Sequence, residues 1–230
     1  MASRLLRRSG ISVGLVAASL EWRPDEIFQI GVGVNHQEID VLSQEWQGVV
    51  WTGCEPHPDI YNSMKDTYPG VLHRVAIAGF NGHASLLSKR NHIDGSTLYP
   101  GEEQTGRQHR VAVRTLDSMF PPPQPDKRVL LWLDCEGCEL EALQGGEKFV
   151  AGVDVMNIEM TACPPNPKWG GMVDIYNWLA QRGFYLQWVH TQRIYVGQVD
   201  GVFVRRVLFV PGLCCIPQEI ARFQCEESST

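Results

Sequence analysis

The sequence is short of the features that would put it in a membrane, on a nucleic acid or in a disulfide scaffold. No apolar run approaches the roughly 20 residues needed to cross a bilayer. Positive charge is in deficit: 20 Lys and Arg stand against 26 Asp and Glu, a formal net charge of -6. Nucleic-acid surfaces are normally basic, so no nucleic-acid partner is expected. The seven cysteines are odd in number and scattered. That pattern suits free thiols in a reducing compartment and predicts a cytoplasmic protein. A zinc site is not supported, because the single C-x-x-C at Cys135–Cys138 has no second C-x-x-C and no paired-histidine motif to complete it. There is no internal repeat and no clear second domain.

What the chain does have is organised around Val129 to Gly146, VLLWLDCEGCELEALQGG. Val129 to Leu133 is a short apolar run, as expected for a strand covered on both faces. Asp134 ends it and Gly137 permits a tight turn. Leu140 and Leu143, with Cys138 and Ala142, give the next segment an apolar helical face over about 138–144. Gly145-Gly146 stops that helix. Asp134, Glu136 and Glu139 therefore cluster where a strand hands over to a helix, and ligands of open parallel sheets bind beyond such strand ends.

The rest of the chain alternates strand and helix patterns. Strands are predicted at 27–30, 48–54, 71–78, 110–114, 129–133 and 153–160, with 184–190 and 202–210 as an antiparallel pair at the sheet edge. Asn81-Gly82 is a hairpin signal, so 84–87 is expected to run back antiparallel. Helices are predicted over the segment HQEIDVLSQEW, over 58–67 and over 172–182. Residues 89–109 and 161–171 read as irregular loops. This predicts an α/β fold, a mostly parallel seven-stranded sheet with an antiparallel edge pair and helices on both faces. The expected organisation is an N-terminal extension over 1–24, one domain over 25–210 and a tail over 211–230. The extension begins basic and continues apolar, which fits either a secretory signal or a helix packed on the domain.

Three constellations carry chemistry. Gln29-Ile30-Gly31-Val32-Gly33-Val34-Asn35 joins a strand to a helix, and its glycines let the backbone approach a ligand. It lacks a third glycine, the place being held by Asn35. Glu55, followed by Pro56, ends the second strand, where a carboxylate accepts both hydrogen bonds of a ribose diol. Asp134 and Glu159 end strands expected to be adjacent. They are candidates to bind a cationic group, take a proton from an acceptor hydroxyl or hold a divalent metal, although no motif supports the metal. Cys135 and Cys138 are read as packing residues, since the flanking carboxylates would raise their pKa values. An adenosine cofactor of either kind, dinucleotide or S-adenosylmethionine, satisfies this set.

The segments QIGVGVN, CEPHPDIYNSMK, VAIAGFNGHASL, GSTL, VRTLDSM, LWLDCEGCELEALQGG and VMNIEM, in this order, resemble the FkbM-type methyltransferases. The most specific pieces are Leu116-Asp117 and the D-x-E-G-x-E core at Asp134, Glu136, Gly137 and Glu139. The resemblance implies a Rossmann-like class I fold and an S-adenosylmethionine-dependent enzyme that methylates oxygen, on a sugar, glycan or other small molecule. It implies that Gln29, Gly31, Gly33 and Asn35 line the cofactor, with Glu55 and Pro56 at its ribose and Ala76 and Ile77 beside the adenine. Ser96 would lie near the site. Asp134, with Cys135 and Glu136, would face the methionine moiety, and Asp134 and Glu159 would carry catalysis. Gln29 and Gly79 stand where the family more often has acidic residues. The competing readings are a NAD-dependent oxidoreductase and a catalytically silent nucleoside-binding domain.

Overall fold

The computed structural model describes residues 11–34, 36–89, 92–101, 105–193 and 197–210. Five parallel strands form the body of a seven-stranded sheet: β1 (Glu26–Ile30), β2 (Val50–Cys54), β3 (Val71–His73), β8 (Val129–Leu133) and β9 (Val155–Thr161). Strands β10 (Phe184–Arg193) and β11 (Gln198–Arg205) close it as an antiparallel pair, β11 lying against β9. The order across the sheet is β3-β2-β1-β8-β9-β11-β10. The strand order reverses between β1 and β8, and that is where an open α/β sheet leaves a crevice at its carboxyl edge.

Strand β8 is central because its sequence leaves it nowhere else to go. All five side chains of VLLWL are buried, each worth about 1.5–3 kcal/mol relative to exposure for the aliphatic ones. Leu131 and Leu133 join one core layer with Phe149, Ile175 and Leu179. These come from helices α6 (Glu147–Val150) and α7 (Met172–Ala180), beside α5 (Glu139–Gln144) and α4 (Leu116–Met119). Leu130 and Trp132 join the opposite layer with Val16, Leu42 and Ile60. Those belong to α1 (Ser12–Ser19), α2 (His36–Glu45) and α3 (Pro58–Met64). The stretch assigned to an N-terminal extension thus contains a helix whose Val13, Val16 and Ala17 are buried. The tail at 211–230 lies outside the described residues, and no helix of the described residues is long and apolar enough to cross a membrane.

Two expectations are corrected. The single strand predicted over 71–78 is two strands in two sheets. β3 ends at His73, the Val75 amide donates back to the His73 carbonyl at 3.1 Å, and β4 (Ala76–Ile77) then pairs with β7 (Gly106–Arg114). The polar segment 89–109, read as a loop, holds β6 (His92–Thr97) and the first half of β7. With β5 (Gly82–Lys89) these form a second, four-stranded sheet in the order β4-β7-β5-β6. The first half of β7 is largely exposed, and only its end, at Val111 and Val113, is buried. A strand that reaches past the core shows no apolar alternation, so its pairing with β5 left no mark on the hydrophobic pattern.

Candidate active site

The carboxyl edge of the large sheet opens into a cavity of about 690 Å³, well inside the roughly 300–1,000 Å³ usual for ligand sites. Its residues come from widely separated segments. Gln29, Gly31, Gly33, Glu55, Pro56, Ala76, Ile77, Ser96, Asp134, Cys135, Glu136 and Glu159 all line it. Of the candidate residues, Asn35 alone lies outside the described residues.

The floor is the junction of β1 and β8. The Asp134 amide donates to the Ile30 carbonyl at 2.9 Å. Gly31 has φ +80°, and a Cβ there would fall 1.6 Å from the Asp134 carbonyl oxygen. Only glycine combines that conformation with that approach. Gly33 is also left-handed, at φ +64°. The loop they form is held by Glu55. One carboxylate oxygen accepts the Val32 and Gly33 amides, both at 3.1 Å, and the other accepts the His57 amide at 2.7 Å. Glu55 is buried, so a charged acceptor is paired with the dipoles of its own binding loop. The sequence reading assigned Glu55 to a ribose and did not include this anchoring. Gln29 is buried beneath the same loop, accepting from the Tyr68 hydroxyl at 3.2 Å.

The turn after β8 is built by Glu139. Its carboxylate accepts the Cys135 amide at 2.9 Å and the Gly137 amide at 3.0 Å. Glu136 sits at φ +52° and Gly137 at φ +102°. A Cβ on Gly137 would fall 2.1 Å from the ring of Trp169, whose indole N–H donates to the Tyr99 carbonyl at 2.8 Å. Trp169 is therefore buried, packing against the turn. The Thr97 hydroxyl donates to the Glu136 carbonyl at 2.6 Å, so the second sheet braces the turn. Burial first, and the neighbouring Glu139, raise both the Cys135 and Cys138 thiols. Both cysteines are free, in line with a packing role. Asp117 accepts the Lys148 and Phe149 amides at the start of α6, at 3.2 and 2.8 Å, a structural duty away from the cavity.

The electrostatics are lopsided. Burial pushes the Asp134 carboxyl well above the ordinary carboxylate range, and Glu159, Glu136, Glu139 and Asp200 push it the same way. Burial raises Glu159 to about 8, with Glu136, Glu139 and Asp200 adding to it, against a hydrogen bond with Asp134. Glu38 is raised to about 7 by burial and by Asp200. No lysine or arginine is among the described residues lining the cavity. Such a cluster stabilises a bound cation and provides groups that exchange protons near neutral pH.

Sequence reasoning missed Glu38, Asn157, Asp200, His190 and Gln198, which also line the cavity. Asn157 could have been found from strand alternation, because it lies two residues before Glu159 and shares its face. Asp200 could not, since its place opposite Glu159 depends on the β9–β11 register. His57 caps α3: its ring accepts the Asp59 amide at 3.2 Å and meets the Ser88 hydroxyl at 3.1 Å.

Comparison with known proteins bears on what this site belongs to. No curated protein sequence matches the chain. Among solved structures, a methyltransferase FkbM from Methylobacillus flagellatus KT is 13% identical with a TM-score of 0.46, covering 76% of this chain and 43% of its own. This chain thus spans less than half of that protein. The magnesium protoporphyrin IX methyltransferase of Synechocystis PCC 6803, solved with bound SAM, is 11% identical with a TM-score of 0.48, covering 86% of this chain and 78% of its own. The precorrin-6y C5,15-methyltransferase of Geobacter metallireducens GS-15 is 12% identical with a TM-score of 0.45, covering 90% and 93%. The methyltransferase FkbM domain model matches residues 30–186, a span that runs from the glycine loop through Asp134 and Glu159 into β10. With well over half of its length matched, the chain belongs to the FkbM-domain methyltransferase family.

Proposed function

We propose that the chain transfers the methyl group of S-adenosylmethionine to a hydroxyl of a sugar, glycan or other small-molecule acceptor. The observation that carries this reading is the convergence of Gly31, Glu55, Ala76 and Asp134, from four separate segments, on one cavity. The site fits the cofactor on its own terms. The glycine loop brings bare backbone to the cavity wall, Ala76 and Ile77 offer an apolar surface for a base, and Glu55 lines the same cavity with carboxylate lone pairs that suit a ribose diol. The carboxylates suit the cationic amino group and sulfonium of the cofactor.

When bound, the sulfonium supplies an electrophilic methyl group. The chain's own residues orient the acceptor and manage its proton. Asp134 and Glu159 stand side by side at the reacting end of the cavity, and Asp134 in its ionised form is the group that receives the hydroxyl proton. Positioning supplies much of the rate in such a transfer, and a general base adds about 10²–10⁴-fold. The large sheet, the second sheet and the start of α1 all contribute residues to the cavity wall. Family membership favours methyl transfer over hydride transfer. Tyr61 and Lys65 have the Tyr-x-x-x-Lys spacing used in some hydride-transfer enzymes, but neither lines the cavity and Lys65 is exposed.

Isothermal titration with S-adenosylhomocysteine and with NAD tests the reading. Binding of S-adenosylhomocysteine alone is expected, and preference for NAD would overturn it. With an acceptor in hand, Asp134→Asn should lower kcat by about 100-fold or more while the fold is retained. Unchanged turnover would remove Asp134 from the chemistry.

A further inference from the structure

Continuing the β8–β9 register from Leu133 opposite Ile158 brings Asp134 beside Glu159, and Asp200 of β11 lies opposite Glu159. Three carboxylates therefore stand in one row across three neighbouring strands. Asn157 is directly beneath, two residues back along β9 on the same face as Glu159. It is 4% exposed and lines the cavity. Its Oδ1 is buried without a hydrogen-bond partner. A buried acceptor in that state is uncommon and points to a donor that the protein does not provide. Glu38 reaches the same end of the cavity from α2.

We propose that this end of the cavity, formed by Asn157, Glu159, Asp200 and Glu38, takes the protonated primary amine of an amino-bearing acceptor, an amino sugar being the simplest case. This deepens the methyl-transfer reading and rests on it: the amine is the handle, and a hydroxyl of the same molecule receives the methyl group. An ammonium has three donors and no acceptor, which matches a wall of acceptors. A hydroxyl in its place would offer that wall one donor and no positive charge. No lysine or arginine is among the described residues that line the cavity. A divalent metal suits the row less well. The ligand atoms of Asp134, Glu139 and Glu159 lie within 4.8 Å of one another, but the Glu139 carboxylate is taken up by the Cys135 and Gly137 amides.

The test compares D-glucosamine with D-glucose, which differ by an amine in place of one hydroxyl, titrated calorimetrically into the full chain saturated with S-adenosylhomocysteine. Glucosamine is expected to bind at least about tenfold more tightly, one factor of ten in the dissociation constant. Asn157→Leu is expected to remove that preference without changing S-adenosylhomocysteine affinity. Asp200→Asn serves the same purpose should the leucine variant not fold. Equal binding of the two sugars, binding of neither, or an unchanged preference in the folded variants overturns the amine subsite while S-adenosylhomocysteine still binds. If S-adenosylhomocysteine itself does not bind, the methyl-transfer reading falls and takes the subsite with it.

Discussion

Gly31 and Asp134 are 103 positions apart in sequence, yet a single Cβ on Gly31 would sit 1.6 Å from the Asp134 carbonyl oxygen. The glycine loop and the acidic turn are thus one construction, closed by the parallel pairing of β1 with β8. Gly31→Ala is expected to be costly on two counts: its φ of +80° is strained for any L side chain, and backbone stands where the methyl would go. Urea unfolding should show a loss of at least about 2 kcal/mol, together with loss of S-adenosylhomocysteine binding. A variant as stable as the parent would mean that the loop can move away from the turn freely.

Much of this relationship is legible in the sequence, and the reason is local. VLLWL can only be a doubly covered strand, and D-x-E-G-x-E after it needs a turn, so Asp134 and Glu139 announce themselves. The glycines of QIGVGVN do the same for β1. Residues placed by register carry no local mark. Asp200 lies ahead of the strand predicted over 202–210, in a β11 that begins four residues earlier at Gln198 and is buried almost throughout, so its place opposite Glu159 follows only from β11 lying against β9. Glu38 depends on the packing of α2. The second sheet escaped because the segment 92–109 is polar and its strands are held by backbone pairing to β5 more than by burial.

Glu55 gives a second prediction. Its carboxylate accepts three backbone amides, two of them from the glycine loop. Hydrogen bonds to a charged group are worth about 1.5–3 kcal/mol, and amides left buried without partners add a penalty. Glu55→Ala should lower stability by about 2–3 kcal/mol in denaturant titrations and weaken S-adenosylhomocysteine binding. Loss of binding at full stability would leave only the ligand contact, with no anchoring role.

The carboxylate row gives a pH dependence of definite sign. Glu159 has its pKa raised from 4.5 to about 8, and Asp134 is raised as well. Below the unfolded pKa both states are protonated and the shift contributes nothing. Between about 4.5 and 8 the folded chain holds more protons than the unfolded one, so stability falls as pH rises. The ligand-free protein should lose thermal stability across that window. Glu159→Gln should flatten the fall, raising Tm at pH 8 more than at pH 4.5. A parent protein that gains stability over the window would contradict the burial and mutual repulsion described for the row.

Thr97 links the second sheet to the acidic turn through its hydroxyl and the Glu136 carbonyl, at 2.6 Å. Thr97→Val keeps the shape and removes the donor. The expected loss is about 1 kcal/mol of stability, with hydrogen exchange at the Cys135 to Gly137 amides accelerated. Unaltered exchange there would show that Glu139 alone holds the turn.

The most direct measurement is a crystal structure of the chain with S-adenosylhomocysteine. The nucleoside is predicted to lie across the β1–β8 switch point, its base against Ala76 and Ile77, its ribose at Glu55 and its sulfur on the Asp134 side. A nucleoside bound elsewhere, or Gly31 and Asp134 closed against each other with no ligand between Glu55 and the turn, would contradict the account.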